Sequence, residues 1–118
     1  MVRRLGWRSV ARTDRGLVRP DNEDRVVDRP AAGLWAVADG MGGHARGEWA
    51  SGLVGDMLES LALDGDLERG VALVRDGLAA VHARLRHADA GLCGSTVVAL
   101  LIRGERFACL WAGDSRLY

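Results

Sequence analysis

Apolar positions recur along this chain with two different periods, and the changes between them divide it into strand and helix segments. "LWAVAD" (34–39) is an apolar run ending on an acid, which predicts a buried strand that delivers Asp39 at its tip. Upstream, "WRSVAR" (7–12) reads as a first strand and "VVD" (26–28) as a short second one. The polar stretch "TDRGLVRPDNEDR" (13–25), rich in turn residues, forms the loop between them. From Trp49 the spacing lengthens. Leu53, Val54, Met57, Leu58 and Leu61 fall on one stripe and predict a helix. Leu67, Val71, Val74, Leu78, Val81 and Leu85 alternate spacings of four and three, a second helix with Asp66 placed to cap it. The link "DGD" (64–66) is short, so the two helices are expected to pack antiparallel. After "ADAGLCG" (88–94) the period returns to that of strands: "STVVALLI" (95–102) and "RFACLW" (106–111) form a hairpin through "RGE", and "AGDSRLY" (112–118) begins a further strand.

The predicted order is β-β-β-α-α-β-β-(β), an α+β class in which two helices cover one face of an antiparallel sheet. The strands are nearly continuous in apolar character, which calls for cover on both faces. Two helices supply one layer, so a second covering layer is expected from elsewhere.

Composition narrows the function. At 118 residues and 48% hydrophobic, the chain holds one small domain with a core. Sixteen basic and sixteen acidic residues balance, which disfavours a nucleic-acid partner bound through a basic face. Cys93 and Cys109 lie in apolar surroundings without a CxxC spacing, so reduced buried thiols are expected rather than a zinc site. The opening "MVRRLGWRSVAR" lacks the apolar region of a secretory signal, and "VVALLI" is too short to span a bilayer. A cytoplasmic protein without a membrane partner is the expectation.

The chemistry concentrates around "LWAVADGMGGHARGEWAS" (34–51). "GMGGHA" fits a dinucleotide-binding glycine turn, but the acid-tipped second strand which that motif requires about 20 residues later is replaced by helix near Asp56 and Glu59. A P-loop lacks its Gly-Lys-Ser/Thr. A plain strand-to-helix turn with a solvated Asp39 is the structural alternative. The third reading makes Asp39 a ligand for a hard divalent cation, which takes oxygen donors. Glu23 and Asp24 in "RPDNEDR" and Asp114 in "AGDSR" are further acids beside turns that could converge on one sheet edge.

"RPDNEDR", "VADGMGGH", "GSTVVALLI" and "WAGDSRLY" resemble, in order and spacing, the N-terminal half of the PPM (type 2C) metal-dependent protein phosphatases, over nearly the whole chain. The spacing is most similar to compact bacterial members, including regulators of type VI secretion. The resemblance implies an antiparallel β-sandwich flanked by helices (four layers, α-β-β-α), of which residues 1–118 form the N-terminal part of a single domain. It also implies two divalent cations, Mn²⁺ or Mg²⁺, that activate water for in-line attack on a phosphoserine or phosphothreonine of a protein, opposing a serine/threonine kinase. On that mapping Glu23 and the Gly40 carbonyl bind one metal and Asp39 bridges two. Asp24 lies outside the direct ligands, Arg19 grips the substrate phosphate, and Asp114 serves a third, weaker metal. Met41 stands where some relatives carry a histidine acid, so no such role passes to His44. Other phosphatase chemistries lack their motifs: no Cys-x5-Arg follows Cys93 or Cys109, and "DGDLE" (64–68) follows a helix rather than a strand. The Asp-Gly and Asp-Asn elements that complete the family's second metal set do not occur in this sequence. The chain is therefore expected to be a fragment without turnover of its own, and the alternative function is a catalytically inactive phosphatase-like regulatory or binding module.

Overall fold

A computed structural model describes residues 6–14, 23–42, 45–87, 93–113 and 117. The elements are β1 (Asp24–Arg29), a 3-10 turn (Pro30–Ala32), β2 (Leu34–Met41), α1 (Ala45–Ser60), α2 (Leu67–His87), β3 (Gly94–Ser95), β4 (Val97–Arg103) and β5 (Arg106–Ala112). All pairings are antiparallel, in the order β1-β2-β4-β5, with β3 pairing the end of β2. β1 turns into β2 because Pro30 opens the 3-10 turn and Gly33, at φ 65°, closes it in the left-handed region.

Strand alternation decides which side is core. Leu34, Ala36, Ala38 and Gly40 of β2 are buried, while Val37, Asp39 and Met41 are exposed on the other face. The register carries the buried row across the sheet, from Val27 to Ala36 to Ala99 to Leu110. Both helices lie on that side, where Leu34, Leu58, Val74 and Leu101 are fully enclosed. Removing each such side chain from water stabilises the fold by about 1.5–3 kcal/mol.

The face that α1 turns to the sheet keeps Val54 and Leu58 of the predicted stripe but not its other large residues. The buried positions are Gly47, Ala50, Ser51, Val54, Gly55 and Leu58, whereas Leu53, Met57 and Leu61 are half-buried at the flanks. Small residues take the contact because the helix rides close to β1 and β2. A Cβ on Gly55, for example, would collide with the Arg25 side chain, which crosses to Asp56 at 3.1 Å. α2 begins as the sequence predicts, with Arg69 N–H donating to Asp66 Oδ1 at 2.8 Å. Met57 packs over Gly77, and Val54 shares a gap with Leu78 and Val81, the pairing expected of antiparallel helices.

Arginines tie the layers together at the end of the sheet away from Asp39. Arg29 donates to the carbonyls of Leu58 (2.8 Å) and Leu61 (3.0 Å), satisfying acceptors at the end of α1. Arg103 donates to the carbonyls of Ala32 (2.6 Å), Leu63 (2.7 Å), Ile102 (2.8 Å) and Gly65 (3.1 Å), so one guanidinium joins the β1–β2 turn to the interhelical link. Arg106 donates to Glu68, which lowers the carboxyl pKa and raises that of the guanidinium.

One expectation is corrected. Residues 7–12 form no strand: this segment is held by side chains, with Ser9 Oγ donating to Asp28 at 2.6 Å and Trp7 meeting Trp35 edge-on at 6.3 Å. Strand assignment needs a backbone ladder, and side-chain contacts do not provide one. Trp111 and Phe107 are each 69% exposed, because both project from the sheet face opposite the two helices. On that open side Trp35 is half-buried, its Nε1 enclosed without a hydrogen-bond partner among the described residues. The strand expected over 112–118 falls mostly outside the described residues. No helix among the described residues is long and apolar enough to cross a membrane.

Candidate metal centre

Antiparallel order brings the start of β1, the end of β2, the start of β4 and the end of β5 to one edge of the sheet. Glu23 and Asp24 enter there, Asp39 and Gly40 leave there, and Thr96 and Gly113 flank them. Gly40 N–H donates to the Glu23 carbonyl at 2.8 Å, which locks the first acid's backbone to the glycine turn. Asp24 and Asp39 stand directly opposite each other across the β1–β2 ladder. Both side chains are exposed on the open face. Like charges at such a cross-strand position repel, and a cation between them would reverse the sign.

Alternation sends Glu23 the other way. Its carboxylate lies against Gly47 in the first turn of α1, where the positive end of the helix dipole favours it. Gly40 has the closest approach of all, since a Cβ there would fall on the Gly47 carbonyl oxygen. Asp39 is gripped through its backbone: its N–H donates to Thr96 Oγ1 at 3.2 Å, and its carbonyl accepts from Thr96 N–H at 2.9 Å. Thr96 is buried, and its methyl packs beneath Gly113, whose φ of 95° turns the chain out of β5 just before Asp114.

The sheet edge thus collects Glu23, Asp24, Asp39 and Gly40 as the sequence expects, with Asp24 and Asp39 sharing one face and Glu23 on the helix side. Arg19, Asp114 and His44 lie outside the described residues. Among the described residues no three His, Cys, Asp or Glu side chains gather into a metal-holding group. What the edge offers is two carboxylates on one face, a third on the other, and the backbone between them. These are oxygen donors, the chemistry that Mg²⁺ and Mn²⁺ take. Two residues of this edge are given no role by the motifs. Thr96 lies within "GSTVVALLI" as a hydroxyl before an apolar run, and Gly47 is one more glycine in "HARGEW".

A helix-covered antiparallel sheet with acids at one edge supplies one part of the four-layer architecture that the motifs imply. A family model described as protein phosphatase 2C matches residues 10–118, and the chain belongs to that family. It is 47% identical over 119 residues to the serine/threonine protein phosphatase PstP of Mycobacterium tuberculosis (strain ATCC 25618 / H37Rv), covering 97% of this chain and 23% of that protein. Among solved structures it resembles PppA, a key regulatory component of the type VI secretion system in Pseudomonas aeruginosa. That match has a TM-score of 0.84 and 44% identity, and covers 96% of this chain and 51% of the other. The catalytic domain of PstP in complex with two manganese ions matches with a TM-score of 0.73 and 45% identity, over 89% of this chain and 47% of that one. The chain therefore spans about half the length of these solved relatives.

Proposed function

We propose that the protein acts as a serine/threonine protein phosphatase, removing phosphate from phosphoserine and phosphothreonine of protein substrates with divalent cations, Mn²⁺ or Mg²⁺. Such an activity opposes a serine/threonine kinase. The observation that carries this reading is the oxygen-rich sheet edge, with Asp24 facing Asp39 and Glu23 locked beside Gly40. The manganese complex of PstP and the 47% identity to that phosphatase support it. Glu23, Asp39 and the Gly40 carbonyl would hold the ions, and Asp24 would brace the edge. When bound, the cations supply charge neutralisation at phosphorus and a water acidified toward neutral pH.

This chain's own contribution is to fix donors before substrate arrives. Thr96 holds the Asp39 peptide, Gly40 ties to Glu23, and the exposed face of Asp39 leaves room for a phosphoryl group. Arg19 is assigned to the substrate phosphate and Asp114 to a weaker third ion, both from the sequence motif. The two unpaired cysteines suit a reducing compartment, in keeping with a cytoplasmic site of action.

The test is hydrolysis of a phosphothreonine peptide by the full-length protein with added Mn²⁺, with Mg²⁺, and after chelation. Turnover should require the cation, and Asp39→Asn should lower kcat by orders of magnitude. Arg19→Ala should act mainly on KM, since it holds phosphate in ground and transition states alike. Hydrolysis that persists after thorough chelation overturns the metal mechanism. Mn²⁺ binding without turnover favours an inactive binding module.

A further inference from the structure

We propose that Gly47 is a positioning residue for the metal centre, present because its missing side chain is the seat of the Glu23 carboxylate. The inference rests on the reading of Glu23 as a ligand. A Cβ built on Gly47 would lie 2.7 Å from Glu23 Cδ and 2.9 and 3.0 Å from its two carboxylate oxygens. The first two are closer than real Cβ contacts come and the third is unusually tight, so the carboxylate has to shift. It is the far end of a flexible chain and moves at little cost to the fold, but its position is what a ligand must keep.

The neighbouring glycine behaves differently. A Cβ on Gly40 would strike the Gly47 carbonyl and come within 2.8 Å of the Glu23 carbonyl, both backbone atoms that do not yield. Gly40 is therefore needed for α1 to dock, whereas Gly47 is needed for Glu23 to stay in place. Helix propensity sharpens the contrast. Gly47 is a helical residue, and alanine there favours the helix. Gly47→Ala should thus leave stability unchanged or raised while weakening the site, a combination that a packing role would not produce.

The experiment measures Mn²⁺ binding by calorimetry and thermal melting without metal on the full-length protein and on Gly47→Ala, Glu23→Gln, Glu23→Asp and the Gly47→Ala/Glu23→Asp double variant. Gly52→Ala serves as control, because a Cβ there meets nothing within 4 Å. Glu23→Gln should weaken Mn²⁺ binding tenfold or more. Gly47→Ala should weaken it by about as much with no fall in melting temperature, and Gly52→Ala should bind as the parent does. The shorter Asp at position 23 withdraws from the added methyl, so Gly47→Ala should have little further effect in the Glu23→Asp background. If Glu23→Gln leaves Mn²⁺ binding unchanged, the ligand assignment itself fails. If Glu23→Gln weakens binding but Gly47→Ala does not, or if Gly47→Ala merely lowers the melting temperature, the positioning role is overturned.

Discussion

Replacing Thr96 with Val tests how the sheet holds its acidic edge. The substitution keeps the β-branch and the methyl that packs beneath Gly113, and removes only the hydroxyl that accepts the Asp39 N–H at 3.2 Å. That N–H is left facing a methyl group. Losing the acceptor for a part-buried donor costs about 1–2 kcal/mol, of which the gain from valine's strand propensity offsets a few tenths. The Asp39 carbonyl keeps its bond from Thr96 N–H, so the strand should stay paired while the peptide that carries the acid loosens. Urea titration should show a lower midpoint at unchanged slope, by an amount equal to about 1 kcal/mol. The Mn²⁺ concentration for half-maximal phosphatase activity in the full-length protein should rise several-fold. Thr96→Ser makes the opposite cut: it keeps the hydroxyl and drops the methyl, so it should lose about 0.8 kcal/mol of stability with little change in Mn²⁺ dependence. A valine variant as stable as the parent and equally responsive to Mn²⁺ would refute the idea that Thr96 holds Asp39 in place.

Arg103→Ala should destabilise the fold by about 2–4 kcal/mol in thermal melts, because several carbonyls lose a charged donor together, and lysine should not rescue a contact that depends on a planar fork. Asp66→Ala should cost about 1 kcal/mol by removing the cap of α2, read from the same melts. The 118-residue chain alone should bind the dye ANS through its helix-free face, and the double change Phe107→Ser/Trp111→Ser should reduce that fluorescence several-fold without altering the helical circular dichroism.

Local chemistry was enough for much of this protein. The strand that carries Asp39 near its end, the capped second helix and the β4–β5 hairpin all follow from apolar period and turn residues, because neighbours in sequence dominate there. Four short motifs in order were enough to indicate the phosphatase family, since each places an acid or glycine where a sheet edge needs it. Tertiary structure decided what depends on close approach between distant segments. Of the apolar stripe predicted for α1, Val54 and Leu58 are core, but Leu53 and Met57 are only half-buried, and glycine, alanine and serine share the buried face because the first turn of the helix sits close to β2. The segment 7–12 reads as a strand, but local composition does not supply the partner backbone that would make it one. Trp111 is apolar enough for a core, yet only the placement of both helices on the other side of the sheet shows that it is exposed. Gly47 is silent in sequence because its function is an empty volume, and only the folded chain shows that Glu23 fills it.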